Sequence, residues 1–176
     1  YVLADPEGGK QPEVILMGTG SEVSLCVGAH EALAKEGVAS RVVSMPSWEL
    51  FEQQDEAYRE QVLPKSVTAR VAVEQAAKIG WDRYVGNSGA IIGMHTFGAS
   101  APLKAVLGKF GFTPEAVLDA ARAQAAAQRQ AAAQREAAAK QAAAKELVAL
   151  KEAAQKERAA QKEKAKPERK ADEPQS

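Results

Sequence analysis

Val14-Ile15-Leu16-Met17-Gly18-Thr19-Gly20-Ser21-Glu22 is the stretch that decides the fold. Four consecutive apolar residues predict a strand covered on both faces, the pattern of a strand inside a parallel sheet. The polar glycine turn that follows opens a helix. Along that helix Val23, Cys26, Val27, His30, Leu33 and Ala34 recur at spacings of three and four, which draws one apolar stripe. Gly37 stands just past its end, where a left-handed C-cap belongs. Strand, glycine turn and helix are one unit of an α/β fold.

Outward from that unit the alternation continues. Tyr1 to Asp5 predicts a short strand ended by Asp5-Pro6, and with no helix after it an antiparallel edge position is expected. Ala39 to Ser44 predicts the next strand, closed by Pro46. Ser47 to Gln53 and Glu56 to Val62 predict short helices, and Val67 to Glu74 a third buried strand. Trp81 to Val85 predicts a helical turn and Ala90 to Met94 a further strand. Leu103 to Phe110 predicts a helix capped by Gly111, and Thr113-Pro114-Glu115 opens the last helix with proline at its first position. Strands alternating with helices imply a three-layer α/β/α domain around a mostly parallel, mixed sheet.

Composition changes sharply after Arg122. From Ala123 to Ser176 the only large aliphatic residues are Leu147, Val148 and Leu150, too few to form a core. Alanine triplets at 125–127, 131–133, 137–139 and 142–144 are separated by Gln, Arg, Lys and Glu, all strong helix formers. Residues 1–122 are therefore expected to be the domain. Residues 123–176 are expected to form a solvent-exposed helical tail, disordered from about residue 164. The alanine spacing sustains no heptad, so a coiled coil is not expected. The tail holds 12 Lys+Arg against 8 Asp+Glu, leaving 11 against 15 before it, so a basic tail follows an acidic domain. Such a domain offers no footprint for nucleic acid, and no stretch is apolar enough to span a membrane. The one cysteine, Cys26, excludes an internal disulfide and fits a reducing compartment. The start at Tyr1, without Met and inside an apolar run, reads as a piece of a longer polypeptide.

Candidate functional residues are few. The Gly18–Glu22 loop has the shape of an anion-binding turn, but lacks the Lys-Ser/Thr of a P-loop and the third glycine of a dinucleotide fingerprint. Thr19 and Glu22 stand three apart, as in a capping box, which accounts for them without a ligand. His95 lies in a loop after a strand, where α/β proteins place functional groups, but has no readable partner. His30 belongs to the helix stripe. Two distant histidines and one cysteine make no metal site. Glu74 is expected in a structural ion pair with Arg70 or in an interface. Trp48, Leu50, Phe51 and the run Phe97 to Pro102 either cover the core or dock on another subunit.

The wording of the chain also resembles a family. GTGSEVSL at 18–25, ASRVVSMPSWELFEQQ at 39–54, QDEAYREQVLP at 54–64, ARVAVE at 69–74, WDRYVG at 81–86, GAIIGM at 89–94, TFGASAP at 96–102 and FGFTPE at 110–115 are similar to the C-terminal domain of transketolases. The resemblance covers Tyr1 to about Ala123. It implies a parent enzyme of the pentose phosphate pathway, a cytoplasmic homodimer that moves two-carbon ketol units between sugar phosphates. It also implies thiamine diphosphate and a divalent metal, Mg or Ca, held by other domains of that parent. No catalytic, cofactor-binding or metal-binding residue carries over to this chain, and His95 inherits no role. The implied task is subunit packing, and the alternative is a free-standing interaction or scaffold module. The tail has no counterpart in the resemblance.

Overall fold

A computed structural model of the chain describes residues 1–164, with side chains as far as residue 158. The expected disorder from about residue 164 falls outside the described residues. Among the described residues five strands, β1 (Val2–Ala4), β2 (Val14–Gly18), β3 (Ser40–Ser44), β4 (Arg70–Ala77) and β5 (Ala90–Met94), form one sheet in the order β1-β3-β2-β4-β5. β2, β3, β4 and β5 run parallel, and β1 pairs antiparallel with β3 at the edge. The helices are α1 (Val23–Lys35), α2 (Trp48–Glu52), α3 (Glu56–Val62), α4 (Asp82–Val85), α5 (Leu103–Phe110) and α6 (Pro114–Lys164). The architecture is the α/β fold that the sequence predicts, edge strand included.

The unbroken apolar run of β2 has its physical reason in the two faces it serves. Val14 and Leu16, with Val42, Val71 and Val73, pack under α1 (Cys26, Ala29, Leu33) and the first turns of α6 (Val117, Ala121, Ala125). Ile15 and Met17, with Val43, Met45 and Ala72, pack under Phe51, Val62, Trp81 and Tyr84. Each fully buried side chain of this size stabilises the fold by about 1.5–3 kcal/mol. Helices α1 and α6 meet closely at Gly28, where an added Cβ would stand 3.2 Å from Pro114. Side-chain caps open three of the helices. Ser47 Oγ accepts from the Leu50 N–H, Asp55 from the Tyr58 N–H and Thr113 Oγ1 from the Ala116 N–H. Gly37 and Gly111 end α1 and α5 with φ of 74° and 78°.

β4 departs from expectation. It begins at Arg70 rather than Val67 and runs on to Ala77. The shift at its start has a side-chain cause: the Thr68 and Ala69 N–H groups donate to Gln128 Oε1 of α6, at 2.8 and 2.7 Å. Beyond Glu74 the pairing with β5 continues across an irregularity to Ala77. The chain divides into two units, the first Tyr1–Ala131 and the second from Ala132 onward. The first unit thus takes in residues that read as the start of the tail. Ala125 is buried on the sheet, Gln128 caps the entry to β4, and Arg129 pairs with Glu13. In the second unit α6 continues as helix with residues 132–158 exposed.

Arg129 and Arg122 tie α6 to Glu13 and Glu36. Hydrogen bonds from these guanidinium groups hold both carboxyls below their ordinary value of 4.5. A carboxyl lowered on folding adds stability above its unfolded pKa and loses it as pH falls through the folded one. The double variant Arg122→Ala, Arg129→Ala is therefore expected to melt below the parent chain at pH 7, while the two melts converge near pH 3. A gap in melting temperature that persists undiminished at acid pH would contradict these pairings.

Candidate functional site

Strand order reverses between β2 and β4, because the chain leaves β2 through α1 towards β3 on one side and places β4 on the other. In open parallel sheets this switch point, at the carboxyl ends of the strands, is where ligands bind. Here it is framed by the Gly18–Glu22 loop and by Glu74 and Gln75 of β4. Gly18 lets the turn pack closely: a Cβ there would lie 3.3 Å from the backbone of Glu22 and Val23. The loop then makes a 3-10 turn over Gly20–Glu22.

That turn overrides the capping box. Thr19 makes no side-chain cap, and Glu22 does not reach back to it. Instead the Glu22 side chain, only 7% exposed, crosses to β4. Its Oε1 accepts from the Gln75 N–H at 3.2 Å and its Oε2 from the Ser21 hydroxyl at 3.1 Å. The chain's own carboxylate thus stands beside the loop, where it repels a second negative charge. Below it Cys26 is buried, and desolvation together with the Glu22 charge pushes its thiol up to about 12. It is a packing residue without thiolate character at neutral pH.

Glu74 does not pair with Arg70. Its carboxylate accepts from the Ala76 N–H at 3.1 Å and from Trp81 Nε1–H at 3.3 Å. Arg70 donates instead to four carbonyls, those of Leu63, Pro64, Val67 and Tyr84. It fastens the end of α3 and the α4 turn to the sheet, and burial lowers its pKa. Trp48 stacks edge-on against Trp81 with centroids 5.3 Å apart, and Phe51 is buried beside Tyr84. These two aromatics cover the core, while Leu50 points outward.

The histidines are separate from this crevice and from each other. His30 Nδ1 lies 2.8 Å from the hydroxyl of buried Ser40, beside a cavity of about 500 Å³. Lys10, Lys35, Glu7 and Glu31 surround that cavity with balanced charge. His95 is exposed, with Nδ1 3.5 Å from the Gly93 carbonyl oxygen, and it contacts no carboxylate or nucleophile among the described residues. No group of three His, Cys, Asp or Glu among the described residues could hold a metal ion.

What the carboxyl-end surface does present is apolar. Phe97 is 98% exposed, Ile79 83% and Leu103 71%, and the whole run Phe97 to Pro102 lies on the surface. β5 is the open edge of the sheet and is only half-buried along its length. Of the apolar segments that sequence reading left undecided, this one faces out.

A family model described as the transketolase-like TK C-terminal domain matches residues 1–113. The chain belongs to this family. It is 57% identical over 122 residues to Transketolase 1 of Escherichia coli, an alignment covering 69% of this chain and 18% of that enzyme. Against the chloroplastic transketolase of Spinacia oleracea identity is 49%, covering 70% of this chain and 17% of the relative. Among solved structures, transketolase from Leishmania mexicana superposes with a TM-score of 0.64 at 42% identity, over 71% of this chain and 18% of that one. Pichia stipitis transketolase, in complex with sedoheptulose 7-phosphate, gives 0.66 at 34%, over 74% and 18%. The chain spans less than a fifth of the length of these relatives.

Three elements of this transketolase-like domain escaped sequence reasoning. The Gln128 anchor sits among alanines with nothing to mark it, and the Arg70 clamp depends on carbonyls that carry no sequence signal. Gly80, however, stands visibly before Trp81. Its φ is +90°, and an added Cβ would meet the Trp48 ring at 2.5 Å. Gly80→Ala is expected to destabilise the chain by about 2 kcal/mol or more, by chemical denaturation. Glu22→Ala, which strands the Gln75 N–H, is expected to cost about 1–3 kcal/mol. Wild-type stability in either variant would show that its contact contributes nothing.

Proposed function

We propose that this chain is the C-terminal, non-catalytic part of a transketolase and that its task is assembly. Its exposed apolar rim, Ile79, Phe97 and Leu103, docks on the remaining domains of the enzyme or on its second subunit. The single observation that carries this reading is a nearly fully exposed phenylalanine beside an open sheet edge. In a free-standing soluble domain such a patch is a liability. The switch point supports the same view, since the buried Glu22 carboxylate already bridges its two sides.

In this reading the parent enzyme is a homodimer that transfers two-carbon ketol units between sugar phosphates. Thiamine diphosphate and a divalent metal, Mg or Ca, are held by its other domains and not by residues of this chain. The chain alone is therefore inactive. A cytoplasmic setting fits a lone buried thiol, and relatives occur in bacteria and in chloroplasts. No helix among the described residues is long and apolar enough to cross a membrane. A second reading, a free-standing interaction or scaffold module, draws on the long exposed part of α6 that follows the first unit.

Grafting residues 1–131, the whole first unit, in place of the corresponding domain of the Escherichia coli relative separates the two readings. The chimera is expected to assemble as a dimer and to transfer ketol units. Phe97→Asp in the chimera is expected to weaken assembly at least tenfold, or about 1.4 kcal/mol. The same substitution in the isolated chain should leave its melting temperature unchanged. A chimera that assembles equally well with Phe97→Asp would remove the docking role, and turnover by the isolated chain would overturn the division of labour.

A further inference from the structure

The part of α6 beyond the first unit has no role in the assembly just proposed, and its side chains follow a pattern of their own. Lys140 and Lys151, Ala143 and Ala154, and Glu146 and Glu157 repeat at a spacing of eleven. Eleven residues are close to three helical turns, so each pair stacks in one column. At about 100° per residue, Ala143, Leu147, Leu150 and Ala154 share a stripe about 60° wide. Lys140 and Lys151 border that stripe on one side, and Glu146 and Glu157 on the other. Leu147 and Leu150 are 54% and 62% exposed, the largest apolar side chains of the unit along with Val148. Lys140 pairs within the helix with Glu136 at 2.6 Å, but no described residue pairs with Glu146 or Lys151.

We propose that this stripe is a self-pairing site, occupied by the same segment of a second copy of the chain in parallel orientation. The argument is one of symmetry. A two-fold axis parallel to the helices brings the basic border of one copy against the acidic border of the other. An axis across them brings like charges together. Only the parallel pair places Glu146 of each copy beside Lys151 of the other, the spacing of five at which flanking positions meet across a two-stranded seam. The interface is isologous and closes on two copies. With two leucines per helix the pairing is weak, because so small a surface offsets little of the entropy lost on association. A dimeric parent would strengthen it by raising the local concentration of tails.

A parallel pair sets each residue of the seam against its own copy, so a single cysteine reports it. Cys26 is buried and does not interfere. In the full chain under mild oxidation, Leu150→Cys is expected to form a disulfide-linked dimer about tenfold faster than Gln141→Cys on the opposite side. Adding Glu146→Lys to Leu150→Cys is expected to slow coupling several-fold, roughly threefold to tenfold for facing like charges. Adding Lys151→Glu as well should restore it. Helix content by circular dichroism shows that each variant keeps α6. Equal rates for the two cysteines would overturn the site. Acceleration by Glu146→Lys would overturn the parallel orientation.

Discussion

Everything in the first unit follows from burying β2 on both faces. Val14 to Met17 have no solvent exposure, so each face of that strand needs its own cover. α1 and the start of α6 supply one, and the aromatic group around Trp81 supplies the other. The sheet order, the right of way given to α1, and the tight turn at Gly18 are consequences of delivering those covers from a strand in the middle. The energetic weight is large, since four such side chains amount to roughly 6–12 kcal/mol before entropy is charged.

The same arrangement decides which surface is available for function. The crevice at the switch point, normally the open end of such a sheet, is bridged by Glu22 reaching Gln75. Glu74 is likewise spent on Trp81 and Ala76. The carboxylates of Glu22 and Glu74 are thus engaged inside the chain. Ile79, Phe97 and Leu103, by contrast, are left exposed near the ends of β4 and β5. The exposed apolar residues at this end of the sheet are what support the docking role proposed above.

Sequence reading recovered what local rules control. Periodicity gave the strands and helices, proline and glycine gave their ends, and the wording of the loops gave the family. It failed where a long-range contact competes with a local one. The Thr19–Glu22 capping pattern is locally sound, but the buried carboxylate gains more by bridging two strands. Val67 to Ala69 have strand composition, yet Gln128, distant in sequence, satisfies the backbone N–H groups of Thr68 and Ala69 and delays the strand. Arg70 and Glu74 stand four apart in one extended strand, about 13 Å, too far to pair; carbonyls surround the first, and an indole meets the second. The exposure of Phe97 could not be told from burial of Trp48 by composition, because both are aromatics in connecting segments.

The most direct measurement is hydroxyl-radical footprinting of the side chains of this domain, free and within the complete parent enzyme. Strong protection of Phe97, Ile79 and Leu103 on assembly, with the Gly18–Glu22 loop unchanged, is the expected result. Phe97 equally reactive in both states would contradict a docking role for the rim and return the apolar surface to an unexplained feature of the fold.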